Sequence, residues 1–455
     1  MAIYQIVKAL QDASGNNEKL AILEANKDND LFKAYMQAVY DPAVNYYVTK
    51  LPTGVAPGNM ARLDQEYLNW LAKSVKERKF VGKAGKSLLK VTLATFDAQG
   101  QELFGYIIDR KIGANVGDTM VLTTWPGLYF IPPYMRCASM DEKARERFDK
   151  EEYFYVQEKR DGSFAYLNPG RICTRQGSCY PDWFVGRMSA GVDENEVLVG
   201  EMEVYRHAAT DAGFATLLSR KEGNGVLNSI LQGAEESEFE DYEFRYIAWD
   251  LLSLGEFETG YSGRPYEDRW DGLRTAVASH RYNASINVVQ CWKVTSVAMA
   301  KARHTSLTAA GLEGSVWKTA SGVWKDTSSG SKDNVKVKVV FEAEYVIVGS
   351  FEGKGKAKGK LGGLTIATEC EKLTNDVGTG FSDKQREDLW AIRDQLPGKV
   401  VTCEANDIST ARGKNTYSLS LPVFIEIRHD RTIADTLERV LAQFEAAKLG
   451  KKLAE

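Results

Sequence analysis

Over the first 129 residues the apolar positions recur at helical intervals. Ile3, Ile6, Val7 and Leu10 fall on one face of a helix. Leu31, Phe32, Tyr35, Met36 and Val39 repeat the pattern, and Asn29 or Asp30 stands where an N-cap belongs. Strand-like alternation is rare in this stretch. Trp125-Pro126-Gly127-Leu128 and then Pro132-Pro133 break the helical pattern and suggest a boundary.

From about 150 to 340 the texture changes to short β-rich runs: Phe154-Tyr155-Val156, Val197-Leu198-Val199, Tyr246-Ile247-Ala248-Trp249, Ser315-Val316-Trp317 and Val335 to Val340. Helical stretches are expected between them at 211–232 and 297–310. This is the pattern of an α+β unit built on antiparallel sheet. A third segment opens with Tyr345-Val346-Ile347-Val348-Gly349 and runs through short strands to Ser418-Leu419-Ser420-Leu421-Pro422, a spacing that suits a small β-barrel. A last helix carries Leu437, Val440, Leu441 and Phe444. The fold class read from the pattern is multidomain α + β, with segments 1–129 (all-α), 130–341 (α+β) and 342–455 (barrel). The length of 455 residues fits about three domains at roughly 150 residues each.

Composition narrows the class without naming it. A hydrophobic fraction of 44% and a charged fraction of 26% are those of an ordinary globular protein. No apolar run approaches the length needed to cross a bilayer, so no membrane association is expected. The N-terminus lacks a basic region followed by an apolar stretch, so no secretory signal is read there. The six cysteines are scattered without a CxxC pair and are expected as free thiols, which makes a structural zinc site improbable. The net charge of −4 gives no bulk attraction to nucleic acid, so any such surface must be local.

The sharpest chemical feature is Glu158-Lys159-Arg160-Asp161-Gly162, at a turn after a strand-like run. Alone it is weak, since a chain of this length holds a Lys-x-Asp-Gly by chance about one time in ten. Its weight comes from the segments downstream, taken in order. Thr174-Arg175-Gln176-Gly177 puts an arginine in a tight turn. Gly200-Glu201-Met202-Glu203 ends a strand with both acids on one face. Tyr246 to Asp250 is a strand with aromatics. Glu313 precedes a strand that carries Lys318, and Lys336 and Lys338 share one face of another.

This ordered set resembles the nucleotidyltransferase motifs of the covalent superfamily of ATP-dependent DNA ligases, RNA ligases and mRNA capping enzymes, and most of all the DNA ligases of T-even-type bacteriophages. The likeness extends to residues 21–31, Tyr46-Tyr47, Trp125-Pro126-Gly127-Leu128 and Leu421-Pro422 with Arg428, and so covers nearly the whole chain. It implies a helical DNA-binding domain, an adenylation domain and an OB-fold. It implies Lys159 as the nucleophile toward the ATP α-phosphate and Gln157 at the adenine edge. Arg175 would contact the ribose or the nick phosphate. Glu201 would bind ribose or metal, with Glu203 open as the alternative. Trp249 would stack on adenine, with Tyr246 as the fallback. Glu313 would hold a divalent metal, Mg²⁺ or Mn²⁺, and Lys318, Lys336 and Lys338 would contact phosphates. Arg428, Asp430 and Arg431 would orient pyrophosphate. These cations would also disfavour the ammonium form of Lys159, whose reference pKa is about 10.4.

Two departures stand out. Phe164 occupies a position where the family usually has an arginine, with Arg171 a possible replacement, and Asp430-Arg431 stands for a usual Asp-Lys. The DNA-contact candidates are the Gly-interleaved Lys354, Lys356, Lys358 and Lys360, together with Arg171 and Lys111. The expected partner is nicked double-stranded DNA, bound by a monomer, in the host bacterial cytoplasm if the chain is phage-encoded. An RNA ligase of the same superfamily is the nearest alternative. A noncatalytic nucleic-acid-binding protein is the alternative from another class.

Overall fold

Helical periodicity at the N-terminus becomes seven helices, from Ile3–Asp12 to Asp118–Thr124, with no strand before Cys137 among the described residues. The computed structural model describes the chain except residues 1, 49, 60–63, 77–78, 81, 169, 208–214, 328, 411–414 and 452–455. Asn29 is the cap of the Asp30–Tyr40 helix, its side-chain oxygen accepting from Phe32 N at 3.1 Å. The apolar faces meet in one core in which Ile6, Leu10, Phe32, Met36, Phe104 and Ile107 are fully buried. Trp125 closes it, edge-on to Phe32 and donating its indole N–H to Lys27 O at 2.9 Å.

The central part contains two large sheets, beside a two-stranded pairing of Tyr261–Ser262 with Trp324–Lys325. One runs in the order Cys137–Ser139, Ser331–Lys338, Gly314–Thr319, Phe154–Glu158, Cys291–Val294. The other runs Arg171–Thr174, Ser163–Asn168, Glu196–His207, Tyr242–Ser253, Ile286–Val288, with Ala215–Leu217 pairing on Glu196–His207. Most pairings are antiparallel; the short Cys137–Ser139 and Ile286–Val288 strands pair in parallel. The Phe154–Glu158 strand lies in the first sheet and Ser163–Asn168 in the second. Residues 159–162 therefore cross from one sheet to the other, and this crossing places the chemistry.

Beyond Val339 an antiparallel sheet runs Thr374–Val377, Leu361–Ala367, Phe341–Glu352, Val400–Ala405, Val423–Arg428. Register shifts at Ile347/Gly349 and Phe351/Glu352 curve its long strand. The Leu437–Lys448 helix closes the core by burying Val440 and Phe444, the latter 5.1 Å from Phe341 ring to ring.

Three sequence expectations are corrected. The helix expected over 211–232 is a short strand, Ala215–Leu217, then a helix from Arg220 to Leu231. Ser219 caps that helix, and edge pairing of Ala215–Leu217 with Tyr205–His207 outcompetes a longer one; residues 211–214 lie outside the described residues. Gly200 to Glu203 does not end a strand but sits inside Glu196–His207, because Val204 and Tyr205 continue the alternation and pair with the neighbouring strand. Cys173 and Cys179 form a disulfide rather than free thiols, because the tight turn between them returns the second onto the first as a β-bridge. The lysine-rich segment is a folded turn, Gly353 N donating to Lys360 O at 2.9 Å and Gly359 N to the Glu352 carboxylate at 2.7 Å.

The Val297–Ala309 helix packs on Gly314–Thr319 and brings His304 Nδ1 within 3.1 Å of Ser315 Oγ. Burial pushes this imidazole down to about 4. The unfolded chain then takes up the proton first, near 6.5. Stability held above pH 6.5 is therefore lost as pH falls toward 4, by about 1–2 kcal/mol after allowing for partial exposure. His304→Gln is expected to flatten that acid limb in urea titrations at pH 7.5 and 4.5. Parallel losses in the two proteins would assign the limb to other groups.

Candidate active site

Phe154–Glu158 is buried along its whole length, and Gln157 turns its amide inward, donating to the hydroxyl of Tyr266 and to Trp249 O at 3.4 Å. After Glu158 the chain leaves the sheet, held by Lys159 N on Gly314 O at 3.0 Å. The turn then presses against the second sheet. A Cβ on Gly162 would lie 2.5 Å from Met202 O, so only glycine fits there. The Gly162 N–H is accepted by Glu201 at 2.9 Å.

Lys159 Nζ reaches the carboxylate of Glu313, which also takes Lys338 Nζ at 2.6 Å. Burial raises the Glu313 carboxyl, but the two lysines outweigh it and hold the group below its ordinary range. The surroundings of Lys159 are thus not cationic alone, because Glu313 is ion-paired with its amine. Glu201 is pushed the other way, to about 7, chiefly by burial, with Lys159 and the Gly162 N–H opposing.

These side chains line a cavity of about 320 Å³ together with Arg175, Trp249, Lys318 and Lys336. Every residue assigned to the nucleotide by sequence thus faces one space. Lys318 is 2% exposed, with Nζ 4.5 Å from the Tyr266 ring centre, and burial lowers its pKa. Arg175 lies over Tyr134 at 4.1 Å. Trp249 and Tyr134 both pack on Phe164 (ring centres 6.1 and 4.8 Å), so the residue standing for the family arginine builds an aromatic wall instead of an anion contact. Two alternatives drop out. Tyr246 is fully buried, its hydroxyl donating to Ala165 O and Leu198 O, and has no face for a base. Glu203 is taken by Arg160, whereas Glu201 lines the cavity.

A larger cleft of about 1010 Å³ opens from the same point. Lys159, Arg160, Glu313 and Lys338 face both spaces, and Asn406, Asp407 and Leu421 of the barrel form the far wall. The nucleophile candidate therefore stands where the smaller cavity meets the larger cleft.

Other assigned residues are not gathered here. Arg428 and Arg431 bind Glu344 and line a separate cavity of about 440 Å³; Asp430 chelates Arg428 at 2.8 and 2.6 Å. Arg171 is exposed on Arg171–Thr174 and lines neither space, so it does not stand in for the missing arginine in this arrangement. Lys111, Lys354 and Lys358 are exposed, Lys360 pairs with Glu387 at 2.5 Å, and the Lys356 side chain lies outside the described residues. Sequence reasoning missed Arg160, Tyr134 and Arg220 at the site. Arg160 lay in plain view inside the Lys-x-Asp-Gly turn, but nothing in the sequence said which acids it would meet.

Among the described residues no three carboxylate, histidine or cysteine side chains gather as a metal cage. Glu313 and Glu201, beside Lys318, Lys336 and Lys338, nevertheless fit Mg²⁺, which commonly takes one or two carboxylates, substrate phosphates and water. Among the described residues no helix is long and apolar enough to cross a membrane.

A family model described as the DNA ligase OB-like domain matches residues 352–428. The chain is 26% identical over 488 aligned positions to the DNA ligase of Enterobacteria phage T4, covering 97% of this chain and 99% of that one. The DNA ligase of Enterobacteria phage T6 is 25% identical over the same shares. The solved structure of Pmar-Lig_PreS3 has the same fold, with a TM-score of 0.63, 18% identity, and coverage of 94% of this chain and 99% of that chain. The match at 352–428 and the long alignments agree with the motif order at the crossing turn: over nearly its whole length the chain is similar to the DNA ligases of phages T4 and T6.

Proposed function

We propose that the protein seals 5′-phosphate/3′-hydroxyl nicks in duplex DNA at the expense of ATP, through AMP carried on Lys159. The observation that carries this reading is the position of Lys159, where a cavity of about 320 Å³ lined by Trp249 and several lysines meets a cleft of about 1010 Å³. Trp249 offers the stacking face and Gln157 the polar edge for adenine. Lys318, Lys336 and Lys338 meet the phosphates, where they offset the charge that develops as pyrophosphate leaves. Glu313 and Glu201 would hold Mg²⁺, which supplies charge neutralisation on the triphosphate. The neutral Lys159 amine attacks the α-phosphorus with its lone pair, the N–P bond forms as the bond to pyrophosphate breaks, and the proton released from the nitrogen passes to solvent. AMP then passes from Nζ to the 5′-phosphate, and the 3′-hydroxyl displaces it.

In this reading residues 1–129 grip the duplex, 130–341 carry the nucleotide chemistry and 342–455 close over the nick. Lys111, Lys354 and Lys358 meet the backbone as exposed cations. Arg428 and Arg431 reach pyrophosphate only after the barrel turns. Recognition by phosphate contacts makes affinity fall steeply with salt, by on the order of 10²-fold or more between 50 and 200 mM. A Kd unchanged over that range would contradict it.

The deciding test is intact mass after incubation with Mg²⁺ and ATP, with NAD in a parallel tube, then a chase with nicked duplex. The expected result is one AMP gained from ATP alone, lost as the nick closes. Absence of an adduct on freshly de-adenylylated protein would overturn the reading. Equal sealing of all-DNA and RNA-containing nicks would favour the RNA-ligase alternative.

A further inference from the structure

Arg160, the second residue of the Lys-x-Asp-Gly turn, directs its guanidinium into a pair of acids. Its Nε and one terminal nitrogen donate to the two oxygens of Glu203 at 2.6 Å each, and its other terminal nitrogen binds Glu158. Both carboxylates are buried, with side chains 3% exposed, and Tyr205 donates to Glu203 at 2.9 Å. Glu158 ends the Phe154–Glu158 strand of the first sheet, and Glu203 lies in Glu196–His207 of the second. A single planar guanidinium thus ties together the two sheets that wall the nucleotide cavity, from the residue next to the nucleophile.

We propose that Arg160 is a positioning residue: its fork between Glu158 and Glu203 fixes the crossing turn so that Lys159 Nζ is presented at the mouth of the cavity. This rests on the reading of Lys159 as the AMP carrier. Two buried carboxylates beside each other need a cation, and bidentate geometry needs arginine rather than lysine. The turn has few other restraints of this kind, chiefly Gly162 N–H on Glu201 and Lys159 N–H on Gly314 O. Losing the fork lets the amine drift from the line of attack, and a misplacement of about 1 Å costs on the order of 10²-fold in rate.

The reaction sequence supplies a test that a merely structural residue would fail. Lys159 forms a bond in the first step and breaks it in the second, but takes no covalent part in the third. Arg160→Met is expected to slow AMP addition to the protein by on the order of 10²-fold in kcat, with KM for ATP changed less than threefold. Sealing of a pre-adenylylated nick, measured on the same preparation, is expected to change less than threefold. Arg160→Lys restores the charge without the fork and recovers part of the first step. Glu203→Gln, which keeps the volume and an acceptor, is expected to show the same pattern more mildly. Unchanged adenylylation in Arg160→Met overturns the proposal. So does equal loss of the first and third steps in both Arg160→Met and Glu203→Gln, which would make the cluster a fold element only. Failure of the unmodified protein to take up AMP would instead refute the functional reading beneath it.

Discussion

Lys159→Ala is expected to take up no AMP, a loss on the order of 10⁴-fold or more, while folding normally and still sealing a nick that already carries AMP. The size comes from the role: a covalent nucleophile has no substitute once its attacking atom is gone. The survival of the fold comes from placement. Lys159 sits on a surface-facing turn whose path is set by its own backbone N–H on Gly314 O, by Gly162 against Met202 O, and by Arg160 on Glu203. None of these uses the Lys159 side chain. One other amine is close enough to compete, because Lys338 shares Glu313 and faces both spaces. Lys338, however, projects from a regular strand, Ser331–Lys338, paired to Gly314–Thr319, rather than from the crossing turn. Intact mass followed by peptide mapping separates them. An adduct that persists in Lys159→Ala and maps to Lys338 would move the nucleophile by one strand and leave the rest of the site standing.

Arg269→Met is expected to destabilise the central part of the chain by about 3–5 kcal/mol. Arg269 is 1% exposed on the Tyr266–Ala278 helix. It grips Asp250 with two nitrogens at 2.7 and 3.2 Å, and also donates to Gly322 O at 3.1 Å and to Arg264 O. Removing it leaves the buried Asp250 carboxylate and two carbonyls without their donor, and it is this uncompensated charge that is costly. Total domain stabilities are about 5–15 kcal/mol, so the change is a large part of the whole. Urea unfolding followed by tryptophan fluorescence reads it directly. A loss under 1 kcal/mol would show that water enters and takes over the role. Arg269→Lys is expected to recover little, since an ammonium cannot span both oxygens and both carbonyls.

Period and punctuation in the sequence were enough to define the fold's parts. The helical faces around Ile6, Phe32 and Met36, the Asn29 cap and the strand core at Phe154–Glu158 are local matters, settled by residue type and spacing. Alternation on a strand told that Glu201 and Glu203 share a face, as do Lys336 and Lys338, whereas Lys159 and Glu313 were singled out by the resemblance of the motif order. Three things were not legible. Cys173 meets Cys179 because a turn happens to return the chain onto itself. The strand around Glu201 runs on to His207 because a partner strand is there to pair with it, which no single segment reveals. Arg160 finds Glu203, and Glu313 finds both Lys159 and Lys338, only because two sheets face each other across the crossing turn. Local propensity acts over a few residues and is written in the chain. Which acid neutralises which cation depends on contacts between residues 25 to 154 apart in sequence, and only the packing of the sheets decides those.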